Sequence, residues 1–146
     1  MQCQEVMLSH VYKCRQTDTA RTCAALMRDE KIGFIPVVDQ KDKVVGVVTD
    51  RDLVVRLLAS DLPSFTPVRE VMTVGQLVTC RPDEDLRGLE ARMAKAQKSR
   101  ALVVDRQGKC VGVISLSDIA QAEEAGQVGK LLNDVTHRES VQICRP

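Results

Sequence analysis

The amino-acid sequence predicts an α+β fold in which two copies of one β-α-β-β-α unit follow each other along the chain. Two observations carry this prediction. The chain repeats itself at a fixed offset, and each copy alternates amphipathic helices with pairs of short β-branched runs. A chain of 146 residues is long enough to bury an apolar core, and 44% hydrophobic and 28% charged residues are typical of a soluble globular protein.

The repeat is found by sliding the sequence over itself by 66 residues. Between Cys14 and Arg56 this shift gives 13 identities over 43 positions without a gap. The identical pairs include Cys14 with Cys80, Met27 with Met93, Gly46 with Gly112 and Asp52 with Asp118. Further upstream, Val6-Met7 matches Val71-Met72 at an offset of 65, so one residue was inserted or lost between the copies. Such self-similarity indicates a duplicated structural unit.

Helical periodicity marks two helices in each copy. They are predicted at about Thr19–Lys31 and Asp50–Ala59, then Glu84–Lys98 and Leu116–Ala125, with one more at Val128–Val135. In the second copy Leu86, Leu89, Met93 and Ala96 recur at spacings of three and four, which places them on one apolar stripe. The expected N-caps, whose side-chain oxygens accept from the first helical amides, are Thr17 or Asp18 in the first copy and Asp83 in the second.

Short apolar runs predict three strands in each copy. They are Val11–Arg15, Phe34–Val38 and Val44–Val48, then Leu77–Arg81, Ala101–Val104 and Cys110–Ile114. The last two runs of each copy are β-branched and four or five residues long, which favours strands over helices. Polar turn-forming residues at 39–42 and 105–108 separate them, so each pair is expected to be a hairpin.

The predicted organisation is two small domains and a tail. Residues 1–62 form the first repeat, 68–126 the second, and 127–146 a C-terminal helix and tail, with Pro63, Ser64 and Pro67 in the linker. A three-stranded sheet with helices on one side cannot bury both of its faces alone. We therefore expect the two repeats to pack sheet to sheet about a pseudo-twofold axis.

Composition argues against several classes of function. The net charge is +1 and only Tyr12, Phe34 and Phe65 are aromatic, so neither nucleic acid nor an anionic membrane is an expected partner. No apolar run approaches the roughly 20 residues of a membrane helix, and no signal pattern opens the chain, so we expect a cytoplasmic protein.

Catalytic and metal-binding patterns are also missing from the sequence. The six cysteines form no C-x-x-C pair, and the two histidines, His10 and His137, have no clustered partners, so no metal site is expected. No nucleophile–base pair, paired carboxylates or phosphate-binding loop is present, so we expect no catalytic residues and a protein that is not an enzyme. The cysteines are expected to be mostly small buried apolar residues.

The end of each copy carries a recognisable motif. Residues 46–52 read Gly-Val-Val-Thr-Asp-Arg-Asp and residues 112–118 read Gly-Val-Ile-Ser-Leu-Ser-Asp. This pattern of glycine, two apolar residues, Thr or Ser, two variable residues and Asp resembles the signature of CBS domains. The upstream runs ending at Asp39 and Asp105, and Val6-Met7 with Val71-Met72, resemble further elements of that family over about residues 5–125.

The resemblance implies a tandem pair of CBS domains, a Bateman module, with two clefts that commonly bind AMP, ADP or ATP. Some members of the family bind NAD or S-adenosylmethionine instead, and some bind nothing. Such modules usually pair into homodimers and serve in regulation and energy sensing. The implied ligand is a regulatory adenine nucleotide rather than a required cofactor. No effector domain is recognised in the sequence, so the effector protein stays unknown.

The chemistry of the motif agrees with a nucleotide. Thr49 and Ser115 stand where a strand feeds a helix, and a helix N-terminus favours phosphate. Asp52 and Asp118 lie one turn further on, and an ionised carboxylate can accept from two ribose hydroxyls. The same residues also make a simple N-cap pattern, which is the competing interpretation.

The resemblance also assigns the remaining contacts. Arg100 and Arg51 are expected near phosphate, while Phe34 stands where the first copy would carry the equivalent of Arg100. The adenine pocket of the Ser115–Asp118 cleft is implied to use His10, Val11, Tyr12, Ile32 and Gly33. That of the Thr49–Asp52 cleft is implied to use Gly75, Gln76, Leu77 and Lys98, with Arg100 reaching in. The two clefts are therefore expected to be unequal, with the Ser115–Asp118 cleft the tighter for AMP.

Two alternatives remain beside the adenine-nucleotide sensor. One is a structural dimerisation module that has lost its ligand, and the other is a sensor of NAD or S-adenosylmethionine. The apolar run Leu53-Val54-Val55 with Leu57-Leu58 exceeds what one core needs, which predicts a homodimer contact.

Overall fold

The computed structural model of the chain describes residues 1–123 and 129–136, and it confirms an α+β fold with the predicted element order in each copy. In the first copy β1 (Cys14–Arg15), α2 (Ala20–Glu30), β2 (Phe34–Val38), β3 (Val44–Thr49) and α3 (Asp50–Asp52) follow a short leading helix, α1 (Cys3–Val6). In the second copy the elements are β4 (Thr79–Cys80), α4 (Leu86–Ala96), β5 (Arg100–Val104), β6 (Cys110–Ser115) and α5 (Leu116–Ala122).

The chain divides into two compact units. The first unit comprises Tyr12–Leu77 and Gln107–Cys110, and the second comprises Met1–Val11, Val78–Arg106 and the chain from Val111 onward. Each unit has a three-stranded sheet, in the order β1-β2-β3 or β4-β5-β6. The predicted packing of the two repeats, sheet to sheet, stays a prediction.

In the first unit the sheet and two helical segments enclose one core. β1 pairs in parallel with β2, with Cys14 opposite Val37, and β2 pairs antiparallel with β3. Helix α2 buries Ala20, Cys23 and Met27, which recur at the spacing of one helix face. The core also contains Ile35, Val48, Leu53, Val68, Val71 and Met72.

The second unit repeats this arrangement with its own side chains. β4 pairs in parallel with β5, with Cys80 opposite Val103, which is the register of Cys14 and Val37 moved by 66 residues. Helix α4 buries Leu86, Leu89 and Met93 as predicted, but Ala96 at the helix end is exposed. Residues 129–136 are helical, as the sequence predicts for this part of the tail, and bury Leu131 and Val135.

Each unit takes its edge segment from the stretch that precedes the other copy. Leu8 and Val113 exchange backbone hydrogen bonds of 2.9 and 3.1 Å in the second unit. Thr73 and Val47 do the same at 2.7 and 3.0 Å in the first. We call residues 1–8 and 68–73 the leading segments. The sequence-based division at 1–62 and 68–126 follows the repeats, whereas the compact units exchange these segments.

The glycine that opens each signature motif makes this contact close. A Cβ on Gly46 would lie 2.8 Å from the backbone oxygen of Thr73 and 2.9 Å from the sulfur of Met72. A Cβ on Gly112 would lie 2.5 Å from the sulfur of Met7. Glycine is therefore needed at both positions because a leading segment packs directly on the strand.

The helix starts differ from the predicted ones. Thr19 caps α2, accepting the Thr22 N–H at 3.1 Å, and Asp85 caps α4, so the predicted caps Thr17, Asp18 and Asp83 are wrong. Asp18 instead accepts the Arg15 N–H at 2.8 Å in the preceding turn, which holds its side chain away from the helix. In the first copy α3 continues as a π-helix, Leu53–Leu58.

Candidate functional site

The candidate site of each unit is the junction where the last strand feeds a helix. Thr49 ends β3 and caps α3, accepting the Asp52 N–H at 3.1 Å, while the Asp52 carboxylate accepts the Thr49 N–H at 3.0 Å. Ser115 and Asp118 make the same reciprocal pair at 3.3 and 2.7 Å. Each motif therefore forms a capping box, so the capping interpretation holds at both sites whatever else they do.

In the first unit the carboxylate of Asp52 has further partners. The Thr73 hydroxyl lies 2.9 Å from one carboxylate oxygen and 3.0 Å from the other. Arg56 places its Nε 3.7 Å from Oδ1 and donates from Nη1 to the Met72 carbonyl at 2.8 Å. Asp52 is 7% exposed. A charge so deeply buried requires such partners, and here two of them come from the leading segment and from the helix that follows.

In the second unit the carboxylate of Asp118 is partnered on one oxygen. Oδ2 accepts the Ser115 N–H at 2.7 Å and the Ser115 hydroxyl at 2.6 Å. Within residues 1–123 and 129–136, no hydrogen bond to Oδ1 is found. Moving Arg56 by 66 residues gives Ala122, and moving Thr73 by the offset of the leading segments gives Leu8. Neither replacement has a donor in its side chain, and Asp118 stays partly exposed.

The first amides of α3 and α5 also have different hydrogen-bond partners. In the first unit the amides of all three residues of α3 are used: Asp50 donates to Gly33 at 3.1 Å, Arg51 to the Asp50 carboxylate at 2.9 Å, and Asp52 to Thr49. In the second unit Leu116 donates to the Ser99 carbonyl at 3.0 Å, and the hydroxyls of Ser115 and Ser117 lie 2.8 Å apart. The first unit thus presents an acid, Asp50, where the second presents Leu116.

The basic residues expected near phosphate lie at the predicted positions in their strands and helices. Arg100 opens β5 and is exposed, while Phe34 opens β2 and is partly buried. Arg51 is exposed in α3. Their contact with phosphate stays a prediction.

The residues expected around adenine divide between the units. His10, Val11 and Lys98 belong to the second unit, and Tyr12, Ile32, Gly33, Gly75, Gln76 and Leu77 to the first. Gly33 packs on Asp50, since a Cβ there would lie 2.8 Å from the Asp50 carboxylate. The hydrogen bond to Glu30 raises the pKa of Tyr12. The assignment of these residues to two adenine pockets stays a prediction.

Sequence reasoning missed Thr73 and Arg56. Their signal was available, because Arg56 is the last residue of the gapless repeat and its counterpart is uncharged. Thr73 directly follows the matched pair Val71-Met72, where the first leading segment has Leu8. A change from donor to apolar at two positions that flank one carboxylate is the kind of difference that a repeat comparison can detect.

Metal binding and membrane insertion each need a structural feature of their own. Among residues 1–123 and 129–136, no three His, Cys, Asp or Glu side chains are grouped so that they could hold a metal ion. Over the same residues no helix combines the length and the apolarity needed to cross a bilayer.

A duplicated β-α-β-β-α unit, with a hydroxyl and a carboxylate one turn apart at the last strand–helix junction, defines a tandem CBS pair. The family model of the CBS domain matches residues 3–59 and 68–125. The chain therefore belongs to the CBS domain family. It is 32% identical over 136 residues to a CBS domain-containing protein, YhcV, of Bacillus subtilis, a match that covers 92% of this chain and 95% of that protein.

Solved structures share the fold. The conserved CBS domain protein TA0289 of Thermoplasma acidophilum superposes with a TM-score of 0.78 at 22% identity, over 94% of this chain and 76% of that one. The CBS domain pair of protein MJ0100, solved with 5'-methylthioadenosine and S-adenosyl-L-methionine, gives 0.73 at 23% identity over 84% and 94% of the two chains. CBSX2 in complex with AMP gives 0.71 at 23% identity over 83% and 94%.

Proposed function

We propose that this CBS pair is a regulatory module that binds an adenine nucleotide, AMP, ADP or ATP, without turning it over. The observation that carries the proposal is the junction of the second unit. There a serine hydroxyl and a partly exposed carboxylate stand one helical turn apart, with the hydrogen bonds to that carboxylate gathered on Oδ2. A carboxylate in that arrangement can accept from the two hydroxyls of a ribose.

Two CBS pairs of the same fold, MJ0100 and CBSX2, were solved with adenosyl compounds, which supports this class of ligand. In the proposed complex Ser115 lies toward phosphate and Asp118 toward ribose. We place Arg100 here rather than in the Thr49–Asp52 cleft because it opens β5 of the same unit, and it adds a charge-assisted contact for the phosphates. The ligand is regulatory, so the fold does not depend on it.

The test is a thermal-shift and calorimetry series with AMP, ADP, ATP, NAD and S-adenosylmethionine. We expect a Kd on the order of micromolar for at least one adenine nucleotide. At about 100 times Kd the ligand should add about 2.7 kcal/mol to the free energy of unfolding and raise Tm by several degrees. No shift with any of the five compounds contradicts the proposal and favours the ligand-free module.

Binding without catalysis is a separate part of the proposal. The purified protein should bind ATP and leave its concentration unchanged over hours, because the residues proposed at the site include no nucleophile with an adjacent base. Phosphate release that follows the protein through purification and is lost in an Asp118→Asn variant contradicts this part.

We further propose a homodimer formed through the first unit. Val54, Val55, Leu58 and Phe65 are 50–73% exposed, and Leu62 is 40% exposed. Leu53, which the sequence placed in the same face, is instead part of the core. The second unit has Ala120 and Gln121 at the positions of Val54 and Val55, so neither of these two valines has an equivalent there. Exposed apolar patches of this kind mark interfaces between chains.

Equivalent substitutions in the two units test the dimer. Val54→Glu is expected to give monomers in sedimentation at micromolar concentration, because it places a charge in a desolvated contact. Ala120→Glu at the equivalent position is the control and should leave the dimer intact. A monomeric parent protein, or dimers in both variants, contradicts the proposed interface. The cytoplasmic setting and an effector protein complete the proposal, and cell fractionation followed by cross-linking with the nucleotide present tests both.

A further inference from the structure

We infer that the two motifs have diverged in role: the motif of the second unit, Ser115 to Asp118, holds the nucleoside, while Thr73 and Arg56 tie Asp52 of the first unit into the fold. The inference rests on the proposed function, and it replaces the expectation of two ribose-binding aspartates with one. It predicts one nucleotide for each chain and names the side chains that decide which motif binds it.

The carboxylate of Asp52 has little capacity left to accept hydrogen bonds from a ligand. An ionised carboxylate offers about four lone-pair directions. On Asp52 the Thr49 amide takes one, the Thr73 hydroxyl bridges both oxygens, and the Arg56 guanidinium lies beside Oδ1. With 7% of the residue exposed, a ribose diol reaches this carboxylate only by displacing Thr73.

Thr73 is itself held firmly. Its N–H and C=O both bond to Val47, at 2.7 and 3.0 Å, so its hydroxyl is fixed over the helix start by the backbone of β3. Arg56 ties the same stretch of chain from the other side, through its hydrogen bond to the Met72 carbonyl. Asp52 therefore links the helix to the leading segment, which is a structural task.

At the same junction the acid Asp50 offsets the charge of the neighbouring Arg51. Asp50 occupies the first helical position of the first unit, and its carboxylate accepts the neighbouring Arg51 amide at 2.9 Å. An acid and an already engaged amide disfavour a phosphate there. The second unit has Leu116 at this position and two serine hydroxyls, Ser115 and Ser117, beside it.

Asp118 lacks the two side-chain partners that Asp52 has, because apolar residues stand at the equivalent positions. Leu8 takes the place of Thr73 on the strand edge, held by the same pair of backbone bonds to Val113, and it is 60% exposed. Ala122 takes the place of Arg56. The two side chains that occupy Asp52 thus have no equivalent at Asp118, and among residues 1–123 and 129–136 the hydrogen bonds found to the Asp118 carboxylate are all on Oδ2.

Equilibrium dialysis with AMP, followed by S-adenosylmethionine where AMP does not bind, measures the number of sites. We expect one ligand for each chain in the parent protein and loss of binding by at least tenfold in Asp118→Asn. Asp52→Asn should keep one ligand at an affinity within threefold of the parent, yet lower Tm by several degrees more than Asp118→Asn does. Two ligands for each chain, or loss of the site in Asp52→Asn alone, overturns the inference.

A second test introduces the two side-chain partners of Asp52 at the equivalent positions around Asp118. The double variant Leu8→Thr with Ala122→Arg places the donors of the first unit on Asp118 and should weaken AMP binding at least tenfold. The control, Leu8→Val with Ala122→Leu, changes the same positions without adding a donor and should bind like the parent. Equal binding by both variants overturns the inference. If the parent binds none of AMP, ADP, ATP, NAD and S-adenosylmethionine, the proposed function fails as well, whereas two bound ligands leave it standing and remove only the inference.

Discussion

The two units of this protein have the same element order and the same register between their first two strands, yet the equivalent aspartates of their motifs have different surroundings. In the first unit Asp52 is buried under Thr73 and beside Arg56, and its motif connects the helix to the leading segment. In the second unit Asp118 keeps the capping box but has Leu8 and Ala122 where those partners would stand. A signature motif therefore fixes a local backbone shape first, and the side chains around it decide whether the shape also binds a ligand.

The same contrast recurs away from the motif. Glu90 of α4 and Glu123 at the end of α5 form a carboxyl pair in the second unit, whereas the first unit has Ala24 and Leu57 at these positions. Conversely, the first unit exposes Val54, Val55 and Leu58 on its second helix. The two units therefore differ on their helices as well as at the motif.

The largest effect is expected from alanine at the motif glycines. Gly46→Ala should cost about 2–3 kcal/mol in the free energy of unfolding, because its Cβ meets the backbone oxygen of Thr73 at 2.8 Å. Gly112→Ala should cost about 1 kcal/mol, since its Cβ meets the side chain of Met7 on a terminal segment that can shift. Urea unfolding of both variants measures the difference, and equal costs contradict it.

A smaller effect is expected from the carboxyl pair of the second unit. Burial, followed by the neighbouring carboxyl of Glu123, raises the pKa of Glu90 to about 7, while Arg87 lowers it and Asp85 raises it further. The folded state therefore keeps a proton that the unfolded chain loses near its ordinary pKa of 4.5. Stability should fall by roughly 1 kcal/mol as pH rises from about 4.5 to 7, less than the full shift implies because the pair is partly solvated.

The matched variant for this pH dependence is Glu90→Gln, which keeps the size and polarity of the side chain beside Glu123 and removes the titrating proton. Denaturant unfolding at several pH values between 4.5 and 7.5 should show the decline in the parent and its loss in the variant. A decline of the same size in both proteins places its origin elsewhere.

The smallest effect concerns thiol reactivity and leaves stability unchanged. Cys14 and Cys23 of the first unit lie with their sulfurs 2.9 Å apart, both buried, and the contact with Cys14, together with burial, raises the pKa of Cys23. In the second unit Cys80 is buried beside Cys3, and burial is the main cause that raises the pKa of each thiol. Cys3 lies in helix α1, and a helix of only four residues opens locally more easily than a paired strand.

Pulsed alkylation with N-ethylmaleimide, read by peptide mapping in a Cys144→Ser background, compares the two pairs. Cys3 and Cys80 should be labelled about tenfold faster than Cys14 and Cys23, because opening the leading segment needs less unfolding than separating β1 from α2. Faster labelling of Cys14 and Cys23 contradicts this order.

Most of the fold could be predicted because it depends on local patterns. The stripe of Leu86, Leu89 and Met93 and the β-branched runs placed the helices and strands within a few residues of their observed bounds. The caps were wrong because Asp18 satisfies a turn amide rather than the helix, a choice between two nearby donors that spacing alone does not decide. The π-helix at Leu53–Leu58 has no pattern that predicts it.

The motif residues of the candidate site could be predicted from the sequence, but the different surroundings of Asp52 and Asp118 could not. The motif predicts Thr49, Asp52, Ser115 and Asp118. The first repeat has Phe34 at the position where the second has Arg100, and this difference already indicated unequal clefts. One partner of Asp52, Thr73, comes from a segment 21 residues away, which periodicity within one copy cannot reveal. Only the exchange of leading segments brings Thr73 over Asp52, and that exchange is a property of the three-dimensional pairing.

That exchange has a consequence for the order of events on the ribosome. Residues 68–73 are synthesised soon after β3, so the edge of the first sheet can be completed while most of the second copy is still unmade. Residues 1–8 are synthesised about a hundred residues before their partner strand, Cys110–Ser115. This leading segment must therefore wait for that synthesis before it can pair, and a nascent chain halted before residue 110 has no strand to receive it.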